Sequence, residues 1–256
     1  MNVIGWKTLV AKESRRFMKV PGQTILNPVI NTALYFVVFG YALGGYLREL
    51  DGVPYIRFII PGLIMQSIIQ NSLLNTASSL FVSKLQGTII DLLLAPLTAF
   101  EVVSAYVVAA LARALSVAVL VWLVASAFTS FHVAHPLYAL AFALGVGVVF
   151  ALGGMVVAIA SNNFEQLNLI PAFVITPLTF LGGVFYSPHA LPRPWSTLTR
   201  ANPILYMVDG LRYGLIGHSD TNPNLGLAIV VGTAVILGAT VYALSLIHIS
   251  EPTRPY

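Results

Sequence analysis

Residues 102–160 read VVSAYVVAALARALSVAVLVWLVASAF, then TSFHVAHP, then LYALAFALGVGVVFALGGMVVAIA. Two apolar runs, Val102 to Phe128 and Leu137 to Ala160, are separated by eight residues. Arg113 is the single charge between Val102 and Asn162. Each run exceeds the roughly 20 residues that an α-helix needs to cross a bilayer's hydrocarbon core. Both are continuous rather than alternating, which excludes a β-barrel. Working outward with the same test gives four further spans. They run from about Ile25 to Tyr46, Phe58 to Leu80, Leu167 to Phe185 and Leu225 to Ile247.

The whole chain agrees. Of its 256 residues, 57% are hydrophobic and 9% charged, against about 25% charged in an ordinary soluble domain. Mean hydropathy is +0.86. Too few polar side chains exist to coat a water-facing surface, so a soluble enzyme, a secreted domain and a disordered chain are all excluded. There is no cysteine, hence no disulfide, thiol nucleophile or thiolate metal site. The net charge of +4 is no nucleic-acid signature, because the bases are not interleaved with aromatics along one face.

Five of the thirteen Lys and Arg residues are Lys7, Lys12, Arg15, Arg16 and Lys19. The segment lacks the unbroken apolar core of a cleaved signal. Lys12, Arg15, Arg16 and Lys19 recur at i, i+3, i+4 and i+7, a basic stripe interrupted by Glu13. Trp6, Leu9, Val10 and Phe17 lie on other faces. The pattern predicts an amphipathic helix in the interface plane, touching anionic lipid, or a plain positive anchor. Either places the N-terminus in the cytoplasm. With six spans, the cytoplasmic side holds six bases and the outer side five, so the N-terminal cluster decides.

Two segments between spans stand out. From Lys84 to Thr98, Lys84, Thr88 and Asp91 recur at i, i+4 and i+7, while Leu85, Ile89, Leu92 and Leu93 hold the other face. This predicts a short amphipathic helix closed by Pro96. It is either a surface helix on lipid or a docking element for a soluble partner. On the outer side, Gly182 to Trp195 is broken by Pro188, Pro192 and Pro194. Ala201 to Arg212 is apolar but too short to span, and suits a re-entrant helix with Asn202 as N-cap and Pro203 first in the helix. Asp209 and Arg212, three apart, can pair on one face.

These blocks resemble a known family. Lys12-Glu-Ser-Arg-Arg-Phe17, Pro61-Gly-Leu-Ile-Met65, Gly87 to Pro96, Pro177 to Tyr186, and Asn202-Pro-Ile-Leu-Tyr206 with Asp209 and Arg212 occur in an order and spacing similar to permease subunits of the type-2 ABC exporters, most closely the YadH-type bacterial subfamily. The resemblance implies an all-α integral membrane protein of the bacterial inner membrane. Its six transmembrane helices would be joined by an N-terminal interfacial helix, a cytoplasmic coupling helix and an outer re-entrant segment before the last span. It also implies a homodimer that forms the export pathway, driven by two copies of a cytoplasmic ATPase subunit. ATP and Mg would then sit on that partner, not on this chain.

Under the same resemblance, Lys84, Gln86, Gly87, Thr88, Asp91, Leu92 and Pro96 belong to the coupling helix, and Glu165 to a second contact between Ser161 and Gln166. Spans one and five would form the dimer interface, where Gly40 and Gly44 make a small-xxx-small pair. No Walker A loop exists, since the only Lys followed by Ser or Thr is Lys7 and Trp6 precedes it.

Arg113 defaults to a functional reading because an intramembrane charge is costly. No acid lies at 109, 110, 116 or 117, so it pairs elsewhere, snorkels, or lines the pathway. Asn71 and Asn75 share a face of a polar span two and either bond across helices or line the route. His132 and His135 have no third ligand nearby for a metal. No catalytic constellation stands out. A secondary transporter driven by an ion gradient is the alternative, but it would want a mid-span acid and inverted repeats. The substrate suggested by an uncharged lining is hydrophobic or amphipathic: drug, lipid or glycolipid. The tail from about His248 to Tyr256 departs from the family pattern and reads as a non-native, poorly ordered end to a 1–247 transmembrane domain.

Overall fold

A computed structural model describes residues 2–19, 22–43, 49–50, 52–129 and 132–250. Its axis is α3, Tyr55–Leu85, about 46 Å long at 1.5 Å per residue. Two helices flank it, α5 (Ala99–Phe128) and α6 (Pro136–Ala160). Phe58, Ile59, Met65 and Ile69 of α3 are wholly enclosed. So are its polar residues Ser72, Asn75 and Thr76, because the helix is surrounded rather than bordering lipid. Thr76 Oγ1 donates to the Ala151 carbonyl of α6 at 2.7 Å. A Cβ on Gly154 would collide with Thr76 and the Leu73 carbonyl; its absence lets the two backbones meet.

By length and composition, three helices can cross a membrane: α5, α6 and Pro223–Leu244 of α11 (Pro223–Ser250). α3 is longer than any of them, but carries nine uncharged polar residues between Gln66 and Ser79. The first expected span is helical from Gly22 to Leu43, with α2 (Asn27–Tyr35) between π-helical turns Gly22–Leu26 and Phe36–Leu43. Gly44 of the expected glycine pair lies outside the described residues. The fifth expected span, Leu167 to Phe185, is shifted. α7 (Phe164–Ile170) begins where Asn163 Oδ1 accepts the Gln166 N–H at 2.8 Å. A π-helical turn, Pro171–Ile175, leads into α8 (Thr176–Phe180), where the helix stops. Pro171 and Pro177 have no N–H to donate, which accounts for the broken ladder.

The short elements gather at the two ends of the bundle. One end carries α1 (Val3–Met18), α4 (Ile89–Leu94) and the turn at 161–163. The other carries a two-stranded hairpin, β1 (Glu49–Leu50) with β2 (Val53–Pro54), then α9 (Trp195–Ala201) and α10 (Pro203–Ile216). The last helix passes the expected end at Ile247 and runs to Ser250, since no helix breaker precedes Pro252. Residues 251–256 are not among those described.

Candidate functional site

The expected amphipathic helix at 84–96 is split. Gly87 has φ +72°, a left-handed conformation that glycine adopts without penalty. It donates to the Lys84 carbonyl at 3.2 Å and so closes α3. Lys84 therefore belongs to α3, and its Nζ reaches across to the carbonyls of Ser161 (3.0 Å) and Ile159 (3.3 Å). One lysine thus joins the two loops at this end, and Glu165 stands exposed just beyond it. α4 retains only Ile89–Leu94. Asp91 is exposed on it, and so are the apolar Ile90 and Leu94, at 58% and 80%.

The basic stripe of α1 is also divided. Lys12, Arg15 and Lys19 are exposed, whereas Arg16 turns inward and Glu13 is buried at 1%. Glu13 accepts a short hydrogen bond from Ser79 Oγ and pairs with Arg16 Nε at 3.3 Å. The Arg16 fork continues to Asn75, its Nη2 lying 2.9 Å from the carbonyl and 3.2 Å from Oδ1, and Nη1 reaches Ser78 Oγ at 3.4 Å. Glu13 is therefore the anchor of this helix rather than an interruption of the stripe. A buried carboxylate needs a charged partner, and Arg16 is the base one turn away. Their i, i+3 spacing was the available signal; polarity alone hid it.

The start of α1 is tied down as firmly. Asn2 Oδ1 caps it by accepting the Gly5 N–H at 3.0 Å, and Asn2 Nδ2 donates to the Pro96 carbonyl at 3.3 Å. Trp6 Nε1 donates to Ser104 Oγ at 3.0 Å. Glu101, unremarked in the sequence, completes a capping box with Thr98 and also accepts the Asn2 N–H. Between α1, the end of α3 and α4 lies a cavity of about 620 Å³, open to the outside. It brings together Lys12, Arg16, Gln86, Thr88, Asp91, Leu92 and Pro96. Arg15, Lys19 and Glu165 do not line it.

Deeper in the bundle, Asn71 Nδ2 donates to the Ser67 carbonyl at 2.9 Å, within its own helix. Arg113 is partly buried on α5, and its Nε has no hydrogen-bond partner among the described residues.

At the opposite end Asn202 caps α10 as its sequence predicts, accepting the Ile204 N–H at 3.0 Å, and also donates to the Leu178 carbonyl at 2.6 Å. Asp209 and Arg212 pair at 3.5 Å with neither side chain exposed. Closer partners surround them. Asp209 accepts the N–H groups of Asp220 (3.0 Å) and Thr221 (2.7 Å) and the hydroxyls of Ser219 (2.9 Å) and Thr221 (2.6 Å). Arg212 Nη2 donates to the Gly183 carbonyl at 2.6 Å, and its guanidinium lies 3.9 Å above the Phe58 ring. His135 stacks on Tyr213 at 4.4 Å.

The profile of ABC-2 type transporters matches residues 5–216, which takes in both ends. The inner membrane transport permease YadH of Escherichia coli K12 is 41% identical over 217 residues, 85% of each chain. Nodulation protein J of Rhizobium leguminosarum bv. viciae is 24% identical over 229 residues, 89% of this chain and 88% of the relative. Nodulation protein J of Rhizobium meliloti is 25% identical over 232 residues, 90% and 88%. A match spanning more than four-fifths of the sequence, with the motif blocks in order, makes this chain a member of the ABC-2 type transporter family.

Proposed function

We propose that the chain is the transmembrane permease subunit of an ATP-driven exporter, with six spans and both termini in the cytoplasm. Its location is the bacterial inner membrane, as in the name of the Escherichia coli relative. Two copies form the pathway. A separate ABC ATPase, two copies with their ATP and Mg, docks on the α4 end and drives it. The cargo is hydrophobic or amphipathic. The observation that carries this reading is α4: a six-residue helix on a glycine turn, presenting Asp91 between exposed Ile90 and Leu94 that no other described residue covers. A helix with both a charged and an apolar face suits a protein partner better than water.

Lys84 bridges the α3–α4 turn to the 159–161 backbone, so a push on α4 reaches α6 directly. ATP binding would shift the dimer between inward- and outward-open states through contacts that differ at α4. The exposed rows Ile30, Leu34, Val37 and Val38 on the first span, with Phe173 and Val174 on the fifth, suit a dimer interface.

The test is co-purification with a separate ABC ATPase subunit, together with ATP-dependent export. Asp91→Lys and Gly87→Trp should abolish both while the permease still folds and dimerises. Intact export in both variants overturns the assignment.

A further inference from the structure

The α10 end holds a second cavity, of about 290 Å³. Three segments wall it, each fixed by its own hydrogen bonds. The short turn Pro188–Ala190 is capped by Ser187 Oγ, which accepts the His189 N–H at 3.4 Å. The end of α9 is pinned to α10 by the Tyr206 hydroxyl, which donates to the Arg200 carbonyl at 3.0 Å. The loop through Asp220 and Thr221 hangs on Asp209, which accepts both of their N–H groups. Among the residues lining this cavity, Asp220, Arg200 and His189 carry the ionisable side chains that could meet a charged ligand.

The Asp220 side chain is only 5% exposed, and its Oδ2 has no hydrogen-bond partner among the described residues. Its other oxygen lies 3.5 Å from His218 Nε2, which makes no hydrogen bond there either. The nearby guanidinium of Arg212 is turned to Asp209, the Gly183 carbonyl and the Phe58 ring. A carboxylate withdrawn from water needs donors, and a positively charged donor answers it best. On a different wall, Arg200 is exposed and makes no ion pair among the described residues. One unmatched acceptor and one unmatched cation in a single cavity suit a ligand that carries both charges. The position of the cavity says where that ligand comes from. Leu225 lines it, 50% exposed, in the first turn of the stretch Pro223–Leu244 that can cross a membrane. Trp195 and Leu198 are exposed on the same short helix as Arg200. Tryptophan at the end of a span marks the level of lipid head groups.

We propose that this cavity binds the zwitterionic head group of a phospholipid with a primary amine, a phosphoethanolamine. The ammonium donates to Asp220, Arg200 and His189 donate to the phosphate, and Leu225 meets the start of an acyl chain. The occupant is a resident lipid that ties α9, α10 and α11 together. The site goes beyond the exporter reading and does not rest on it.

The experiment measures binding of dioctanoyl phosphatidylethanolamine to the full-length chain purified in detergent. Phosphatidylcholine and phosphatidylglycerol of the same chain length, and free glycerophosphoethanolamine, are the comparisons. Wild type should bind the ethanolamine lipid about tenfold more tightly than the choline lipid, whose quaternary ammonium has no N–H to give. The glycerol lipid, which lacks an amine, should be weaker by a similar factor. Asp220→Asn should lose the preference for ethanolamine over glycerol. Arg200→Gln, at an exposed position, should fold and bind the ethanolamine and choline lipids alike several-fold more weakly than wild type. Arg193→Gln removes an exposed base of the same segment that does not line the cavity, and should bind as wild type does. Equal affinity for the ethanolamine and choline lipids overturns the proposal. So does a glycerol lipid that binds as tightly, which marks a plain basic surface. Full preference retained in Asp220→Asn, or equal losses in Arg193→Gln and Arg200→Gln, overturns the cavity as the site. Free glycerophosphoethanolamine binding as tightly as the lipid overturns the lipid assignment. No ATPase takes part, so failure of the exporter reading leaves every one of these results standing.

Discussion

The two ends of this bundle hold their buried carboxylates, Asp209 and Glu13, with different numbers of partners. At the α10 end, Asp209 accepts from four groups besides Arg212, and Arg212 is held by Asp209, the Gly183 carbonyl and the Phe58 ring. At the α4 end one buried carboxylate, Glu13, has two partners, Arg16 and Ser79. Both Glu13 and Arg16 line an open cavity of about 620 Å³. A satisfied buried network fixes one geometry. A carboxylate with fewer partners, beside an open cavity and an exposed helix, is held less firmly. The α10 end is therefore the more tightly held of the two.

The largest effect should come from breaking the α10 end. Asp209→Ala strands Arg212 as a buried cation and orphans the Asp220 and Thr221 amides. Removing one partner of a buried ion pair costs about 3–5 kcal/mol, so the purified protein should show a large drop in Tm or fail to accumulate. A Tm near wild type would mean that the two ends do not differ as described. At the α4 end, Glu13→Ala removes the one carboxylate that pairs with Arg16 among the described residues. Arg16 keeps its Asn75 and Ser78 contacts, so a smaller loss follows, about 1–3 kcal/mol as for one charged hydrogen-bonding partner.

The α10 end was largely legible in the sequence, and the α4 end only partly, for a physical reason. Asn202 before Pro203 and the Asp209–Arg212 spacing are local signals, since caps and i, i+3 pairs are written within one helix. Even there the true partners of Asp209, at Ser219 and Thr221, lay beyond the window. The apolar runs fixed the long helices because hydrophobic length is also local. Arg16 was assigned to the lipid surface because periodicity records which residues share a face. It does not record which face is covered, and Asn75, Ser78 and Ser79 are about sixty residues away. Lys84 shares the period of the amphipathic stretch that follows it, but a glycine at positive φ ends one helix and begins another without changing the apparent period.

Two smaller perturbations sharpen the contrast. Asn202→Ala removes the cap of α10, a change worth about 1 kcal/mol, and should lower Tm modestly while leaving ATPase binding unchanged. Gly87→Ala places a Cβ in the left-handed region, a strain of about 1–2 kcal/mol. No atom lies within 4 Å of that Cβ, so the strain is relieved by shifting α4 rather than by unfolding the bundle. Its Tm should fall less than that of Asp209→Ala, yet its ATP-driven export should fall several-fold, because α4 no longer meets its partner in register. Export intact in Gly87→Ala would mean that α4 is a passive surface helix.

The smallest expected effect separates stability from coupling most cleanly. Glu165 is exposed and makes no ion pair among the described residues. Surface substitutions of this kind scarcely move stability, so Glu165→Gln should leave Tm unchanged. It stands, however, in the first turn of α7, just after the 159–161 backbone that Lys84 of α3 holds. A rim charge at a docking surface acts on the rate of association and on its dependence on salt. If this end receives the ATPase, Glu165→Gln should alter the association rate at low ionic strength, and the difference should vanish as salt is raised. An association rate indifferent to both the substitution and salt would confine docking to α4 and remove the second loop from the interface.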